Sequence, residues 1–168
     1  MTAQPETTPR SLLFVCLGNI CRSPLAEGIF LHLADARGVR DAFEADSCGT
    51  GAWHVGERPD ARAAAVARQN GVKLVSIARQ LDPRRDFERF ELILPMDRSN
   101  RDDLLDAGAP EGRVRLMRSY DPTLAGATER ELDVPDPYYG GPDGFQHVFD
   151  MLVRSCTGLL DRIARERA

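Results

Sequence analysis

A cysteine and an arginine six positions apart carry the clearest chemistry in this sequence. Cys16 opens the stretch Cys-Leu-Gly-Asn-Ile-Cys-Arg-Ser, and Arg22 is its seventh residue. A thiolate can attack a bound phosphate group and form a covalent intermediate, and the arginine fork can bind two phosphate oxygens at once. The pair therefore predicts a phosphate site with a cysteine nucleophile and a phosphocysteine intermediate.

Spacing alone does not identify this site, because the chain contains a second copy of it. Cys156 and Arg162 have the same separation, but apolar residues recur around them at helical intervals. Since free cysteine behaves as a small apolar residue, Cys156 is predicted to lie in the core. Cys16 instead follows an apolar run at residues 12–15, so a predicted strand leads directly into it.

The residues after Cys16 predict a tight loop that leads into a helix. Gly18 and Asn19 tolerate unusual backbone dihedrals, and Pro24 suits the first turn of a helix, where its missing N–H group costs nothing. Backbone N–H groups at such a helix start bind anions, and the helix dipole adds partial positive charge. This field, together with Arg22, favours the thiolate form of Cys16.

Cleavage of a phosphate ester also needs a proton donor for the leaving group, and Asp136 is the best candidate. Pro135 and Pro137 flank it, which keeps Asp136 out of a helix and stiffens its loop. Tyr138 and Tyr139 follow among turn-forming residues. We therefore expect Asp136 to act as the general acid and the two tyrosines to form a wall for a planar substrate.

The remaining pattern predicts the scaffold that positions these residues. Strand-like and helix-like segments alternate, which indicates an α/β fold with a parallel sheet, helices on both faces and right-handed crossovers. In such sheets ligands bind at the carboxyl ends of the strands, where the loop after Cys16 begins. Strands are predicted near residues 11–17, 43–48, 91–96 and 113–118, and helices near residues 24–38, 59–70, 84–89, 98–107 and 143–166.

Composition is typical of a single globular domain. The 168 residues are 42% hydrophobic, which is enough for one core. Residues 1–10 are rich in threonine and proline and predict a flexible tail, and residues 11–168 predict the catalytic domain. No apolar run approaches the ~18 residues that a membrane span needs, and the start lacks a signal-peptide pattern. We therefore expect a cytoplasmic protein that does not bind membranes; export without a signal peptide is the alternative.

Charge and cysteine usage argue against several classes of partner. A formal net charge of −4 gives no reason to bind nucleic acid. Four cysteines without a framework spacing fit a reducing compartment. His32, His54 and His147 are scattered, and Cys16 and Cys21 lack a second pair at ligand spacing, so neither a metal nor another cofactor is predicted.

Together with three segments between them, the two motifs resemble the low-molecular-weight protein tyrosine phosphatases. The resemblance spans residues 11 to 165, and the two catalytic motifs occur in the expected order. The matching segments are residues 15–24, 49–56, 78–80, 96–100 and 136–139.

The resemblance implies a fold and a reaction. The fold is a four-stranded parallel sheet with strand order 2-1-3-4, and the reaction is hydrolysis of phosphotyrosine in proteins, with inorganic phosphate as product. Cys16 would be the nucleophile and Arg22 the phosphate clamp. Asp136 would be the general acid and then the base for the attacking water. The residues that the resemblance assigns to substrate binding are Leu17, Gly18, Asn19, Ile20, Cys21, Ser23, Trp53, Tyr138 and Tyr139.

Within that set, the resemblance implies different tasks. Asn19 would hold the strained shape of the loop, and Ser23 would donate a hydrogen bond to the thiolate. Trp53, Tyr138 and Tyr139 would line a deep slot. Such a slot fits a phosphotyrosine ring, whereas phosphoserine is too short to reach its floor.

Two residues depart from the family pattern. Ser76 stands where family members often carry a histidine that is hydrogen-bonded into the network behind the loop. Ser47 keeps the usual residue type, so we expect a rewired network rather than a missing one. Cys48 stands where alanine is common, and we interpret it as a packing residue, because cysteine resembles alanine in its tendency to be buried.

Three alternative functions remain open. Arsenate reductases of a related fold use the same type of loop but need further cysteines as a relay, and no cysteine lies between Cys48 and Cys156. Arginine phosphatases of the same family tend to have threonine where Ile20 stands, and they lack the aromatic wall. A phosphotyrosine-binding module without catalytic activity would need neither Cys16 nor Asp136.

Two further hypotheses concern regulation. Cys21 lies inside the loop, close enough in sequence to reach Cys16. We hypothesise a reversible disulfide between them that protects the thiolate from overoxidation. Tyr138 and Tyr139 are also candidates for phosphorylation by a partner tyrosine kinase.

Overall fold

A parallel sheet with strand order β2-β1-β3 forms the centre of the computed structural model, which describes residues 10–141 and 143–166. The predicted tail, residues 1–10, lies outside the described residues except for Arg10. The strands are β1 (Arg10–Cys16), β2 (Phe43–Gly49) and β3 (Leu92–Pro95), and the helices are α1 (Arg22–Ala36), α2 (Ala61–Gln69), α3 (Pro83–Arg89), α4 (Arg98–Asp106) and α5 (Asp143–Glu166).

The sequence of β1 explains its central position. Its residues 12–15 are fully buried and apolar at every position, as a parallel strand covered on both faces requires. Leu12 and Phe14 pack into a cluster with residues of α1, α2 and α5. Leu13 and Val15 point to the opposite face, because side chains alternate along a strand, and pack with residues of α4 and the end of α3.

The fourth strand, predicted near residues 113–118, is wrong. Val114 makes a single parallel bridge to Ile93, and the chain then turns into a 3-10 helix at Met117–Tyr120. Val114 and Leu116 are buried while Arg113 and Arg115 are exposed, but Leu116, Met117 and Arg118 are then buried in succession as the chain enters that 3-10 helix. In the part of the chain that the structure describes, the predicted order 2-1-3-4 is therefore reduced to 2-1-3 with one bridge at the outer edge of β3.

The five predicted helices and the other three strands are confirmed, with their ends within two residues of the predicted bounds. Cys156 is buried on α5, and its Sγ donates to the backbone oxygen of Ala26 at 3.6 Å. Its predicted role as a core residue is therefore confirmed. Across the described residues, every helix is too short or too polar to cross a membrane.

Candidate active site

The loop between β1 and α1 forms the floor of the site. The chain leaves β1 at Cys16 and enters α1 at Arg22, and between them Asn19 has a positive φ of 56°. Asparagine adopts this left-handed conformation more readily than most residues. Cys21, which precedes α1, makes no side-chain cap hydrogen bond to the described residues. The first backbone N–H groups of α1 are therefore available to an anion.

Cys16 is buried at the carboxyl end of β1, with two hydrogen-bonding groups around its sulfur. The backbone N–H of Asn19 donates to Cys16 Sγ at 3.3 Å, and Ser23 Oγ lies 3.1 Å from the same atom. Both groups can donate to an anionic sulfur, and hydrogen bonds to the charged form favour it. This environment suits a thiolate.

Asn19 is the centre of the hydrogen-bond network behind the loop. Its Nδ2 donates to Ser23 Oγ at 2.8 Å and to Ser47 Oγ at 3.0 Å. Its Oδ1 accepts from the backbone N–H of Arg79 at 3.0 Å. The buried amide thus uses both of its hydrogens and its oxygen, which fixes the strained loop. The network behind the loop thus runs through Ser47 and the backbone of residue 79.

Glu27 lies beside this network without a full set of partners. It is 8% exposed, and its Oε1 has no hydrogen-bond partner among the described residues. Burial raises the pKa of Glu27 to about 7, although a hydrogen bond with Ser47 opposes the shift. Ser76 lines the same cleft. The carboxyl group therefore changes its charge near neutral pH, which no pattern in the sequence predicted.

Arg22 is buried in the floor of the site and held from behind. Its Nη1 donates to Asp97 Oδ2 at 2.6 Å and to the backbone oxygen of Val134 at 3.0 Å. Although burial opposes its charge, the pKa of Arg22 is raised, chiefly by the neighbouring Cys16 and Asp97. The guanidinium is thus permanently charged, with its Nε and Nη2 left to bind phosphate oxygens.

Asp136 reaches the same place from the loop between α4 and α5. Its Oδ2 lies 3.7 Å from Arg22 Nη2, and its Oδ1 accepts from the backbone N–H of Tyr138 at 3.0 Å. This contact caps the short 3-10 helix Pro137–Tyr139. The side chain of Asp136 is exposed, so its carboxyl group can contact both a phosphate ester in the site and water.

Cys16, Arg22 and Asp136 meet in one cavity of about 420 Å³. Most of the predicted substrate-binding residues line it as well. Asn19 and Ser23 do not, because their side chains lie behind the loop. The lining residues are Cys16, Leu17, Gly18, Ile20, Cys21, Arg22, Trp53, His54, Asp136, Tyr138 and Tyr139.

Aromatic side chains form the mouth of this cavity. Trp53 is 73% exposed and Tyr139 is 89% exposed. The rings of Tyr138 and Tyr139 are 4.9 Å apart in an edge-to-face arrangement, and Arg62 lies over the Tyr138 ring at 5.2 Å. Gly51 lets the Trp53 ring fold back onto the backbone, because a Cβ there would lie 1.9 Å from that ring.

Sequence reasoning assigned no role to two residues of the site. Asp97 holds Arg22, and its position two residues after the end of β3, at the carboxyl edge of the sheet, is a signal that indicates it. His54 lines the cavity, and its Nδ1 lies 2.7 Å from Glu57 Oε2. No local pattern distinguishes His54 from an ordinary loop histidine.

The other cysteines differ clearly from Cys16. Cys21 is a free thiol that lines the cavity, and burial, followed by the charge of Asp60, raises its pKa to about 12. Cys48 is completely buried in the core, as predicted for a packing residue. Within residues 10–141 and 143–166, histidine, cysteine and acidic side chains form no group of three that could hold a metal ion.

Known proteins resemble this chain over nearly its whole length. Residues 11–168 match the family model for low molecular weight phosphotyrosine protein phosphatase. The chain is 44% identical to the low molecular weight protein-tyrosine-phosphatase of Streptomyces coelicolor, covering 91% of this chain and 93% of that one. It is 39% identical to the low molecular weight phosphotyrosine protein phosphatase of Sus scrofa, covering 94% and 98%. A crystal structure of a protein tyrosine phosphatase from Entamoeba histolytica matches with a TM-score of 0.85 and 36% identity, covering 95% and 99%. The chain therefore belongs to the low molecular weight phosphotyrosine protein phosphatase family.

Proposed function

We propose that this cavity hydrolyses phosphotyrosine in substrate proteins, with Cys16 as the nucleophile, Arg22 as the phosphate clamp and Asp136 as the general acid and base. The observation that carries the proposal is the meeting of these three side chains in one cavity with an aromatic mouth. The products are a protein tyrosine and inorganic phosphate.

In the first step, the thiolate of Cys16 attacks the phosphorus of the bound ester. The S–P bond forms as the bond from phosphorus to the phenol oxygen breaks. Asp136, in its protonated form, gives its proton to that oxygen, so that tyrosine leaves as a neutral phenol. Arg22 and the first N–H groups of α1 stabilise the negative charge on the phosphate oxygens during the transfer.

In the second step, water hydrolyses the phosphocysteine. The carboxylate of Asp136 takes a proton from the water as its oxygen bonds to phosphorus, and the S–P bond breaks to restore the thiolate of Cys16. Inorganic phosphate then leaves. Asp136 is protonated again at the end of the cycle, which is the form that the next first step needs.

The shape of the cavity favours an aromatic phosphate ester. Cys16 is buried at the floor, whereas Trp53 and Tyr139 stand exposed at the mouth. A phosphate ester must therefore be long enough to span this depth, which a phenol ring is and a serine side chain is not. Ile20, which also lines the cavity, offers an apolar contact to a ring rather than a partner for a guanidinium group.

Arsenate reduction has less support. A thiol relay would carry the oxidised pair outward from Cys16, and Cys21, which lines the same cavity, is one candidate partner. Cys48 and Cys156 are both completely buried, and neither lines the cavity. Among the residues that line the cavity, no further cysteine could therefore pass the disulfide on toward the surface.

Initial rates on matched phosphotyrosine, phosphoserine and phosphoarginine peptides test the proposal. We expect turnover of phosphotyrosine alone, none by Cys16→Ser, and a phosphorylated Cys16 in the mass spectrum of rapidly quenched wild-type enzyme. Preference for phosphoarginine would contradict the substrate assignment. Binding of phosphotyrosine without turnover by the wild type would instead indicate a binding module.

The role of Asp136 is tested with two aryl phosphates whose leaving groups differ in basicity. For Asp136→Ala, we expect kcat on the ester of the more basic phenol to fall by ~10²–10⁴-fold. The fall should be smaller on the ester of the weakly basic phenol, because that leaving group needs no proton. An equal fall on both esters would assign the acid to another residue.

Two expectations about the cellular context stay predictions. Tyr139 is largely exposed and Tyr138 partly so, which makes their hydroxyl groups candidates for a tyrosine kinase. A cytoplasmic location is expected from the sequence.

A further inference from the structure

Large apolar side chains that remain exposed concentrate around the proposed active site. Among the described residues, several of them line the cavity itself, including Trp53 and Tyr139. Four more are exposed outside it. Val39 lies beyond the end of α1, and the other three are Val55 at 56%, Val75 at 73% and Ile77 at 54%. We call these three residues the apolar shoulder.

Val75 and Ile77 point outward because their segment is extended. Along residues 72–78, buried or half-buried residues alternate with exposed ones, as expected where side chains point to opposite sides in turn. Leu74 faces inward and packs so closely on α1 that a Cβ at Gly28 would lie 2.5 Å from it. Val75 and Ile77, both β-branched and apolar, therefore stay exposed to solvent because the rest of their segment is well packed.

Backbone hydrogen bonds connect this segment to the loop that carries Trp53. Gly56 N donates to Ala78 O at 2.8 Å, and Ala78 N donates to Glu57 O at 2.8 Å. Val55 and Ile77 are each one residue away from the hydrogen-bonded pair Gly56 and Ala78. Since Val55 is also two residues from Trp53, the apolar shoulder starts on the loop that carries the rim of the cavity.

We propose that the apolar shoulder binds apolar side chains that flank phosphotyrosine in the substrate protein. The inference rests on the proposed function, because the phosphotyrosine ring in the cavity brings the substrate backbone to Trp53. Exposed apolar patches of this kind mark interaction sites, and this one is connected through backbone hydrogen bonds to the loop that carries Trp53 at the mouth of the proposed substrate cavity. A substrate segment is therefore a better occupant than a second copy of the chain.

The length of an extended peptide determines which substrate positions can contact the apolar shoulder. Such a chain advances about 3.3 Å per residue, and the two residues from Trp53 to Val55 span at most about 7 Å. A substrate residue two to four positions from the phosphotyrosine therefore reaches the apolar shoulder. Apolar residues at these positions should be preferred over serine or aspartate.

Phosphotyrosine peptides that differ only at these positions test the proposal. On peptides with leucine or isoleucine there, we expect Val55→Ser, Val75→Ser and Ile77→Ser each to lower kcat/KM by about fivefold, as for the loss of a small apolar contact. Peptides with serine should show little change. Val39→Ser is the control, because Val39 is also an exposed valine, at 39%, but lies beyond the far end of α1.

The outcomes separate this proposal from the proposed function. All variants should hydrolyse p-nitrophenyl phosphate like wild type, because that substrate is too small to reach the apolar shoulder. Equal rates of the wild type on apolar and serine peptides would overturn the docking role alone. If the wild type hydrolysed no phosphotyrosine peptide, both proposals would be overturned. A sedimentation shift from dimer to monomer in Ile77→Ser, without a change in peptide preference, would assign the surface to a second copy.

Discussion

Gly49 is the residue at which a single methyl group should damage the catalytic loop most directly. It ends β2 beside the loop, and a Cβ at this position would lie 2.6 Å from the backbone oxygen of Leu17 and 3.2 Å from the backbone nitrogen of Asn19. The first distance is about 0.8 Å short of ordinary contact, which begins near 3.4 Å. Neither neighbour is a flexible side chain, so Gly49→Ala must displace backbone.

Displacing this backbone would disturb two hydrogen bonds that position the loop between β1 and α1. Leu17 O accepts from Gly51 N at 2.9 Å, and Asn19 N donates to Cys16 Sγ at 3.3 Å. A misplacement of about 1 Å can cost a reaction roughly 10²-fold, so we expect kcat to fall by about that factor. Overpacking should lower the free energy of unfolding by about 2 kcal/mol, which corresponds to a fall in Tm of roughly 4–8 °C.

The assay is kcat on p-nitrophenyl phosphate at a temperature where circular dichroism shows both proteins folded. Gly112→Ala is the matched control, because a Cβ at Gly112 would meet no atom within 4 Å. We expect the control to keep wild-type kcat. If Gly49→Ala also kept it, the loop would tolerate the methyl group, and the argument that backbone contact with β2 fixes the loop would be refuted.

Three further predictions concern charge and redox state. Asp97→Asn removes the charge that holds Arg22, so kcat/KM should fall about 30-fold, or about 2 kcal/mol. The control Asp102→Asn, at an exposed position, should leave kcat/KM unchanged. Equal effects of the two substitutions would contradict the contact between Asp97 and Arg22. Burial raises the pKa of Glu27 from 4.5 to about 7, so the folded state binds this proton more tightly, and wild-type stability should fall as pH rises through that range. Measured by urea unfolding, the free energy of unfolding of Glu27→Gln minus that of wild type should therefore rise by about 3 kcal/mol from pH 4 to pH 8. A difference that stays constant with pH would refute the raised pKa. After peroxide and then dithiothreitol, Cys21→Ser should recover less activity than wild type, and equal recovery would exclude a protective disulfide.

The catalytic loop could be predicted from the sequence because its parts are contiguous. Residues 12–15, Gly18, Asn19 and Pro24 specify a strand, a tight loop and a helix start by local preference alone. The helices were predicted nearly to the residue for the same reason, since helical periodicity is local. Asp136 was identified because two prolines and two tyrosines surround it in sequence.

The fourth strand was predicted wrongly because a strand is stabilised by its neighbour rather than by its own residues. Residues 113–118 carry a strand-like alternation only as far as Leu116, and β3 accepts one bridge through Val114. Whether an edge segment pairs further depends on where the following turn begins. That turn is set by burial of Met117 and Arg118 against other elements.

By itself, the sequence determined which groups we propose for the chemistry, because a nucleophile, a clamp and an acid are residue types in recognisable local settings. Only the tertiary structure decided what surrounds them. Asp97 contacts Arg22 across 75 positions of the chain, and Glu27 lacks a partner for its buried Oε1 among the described residues. Such contacts depend on how β3 and the segment around residue 76 pack against α1, and packing between distant segments leaves no periodic trace in either one.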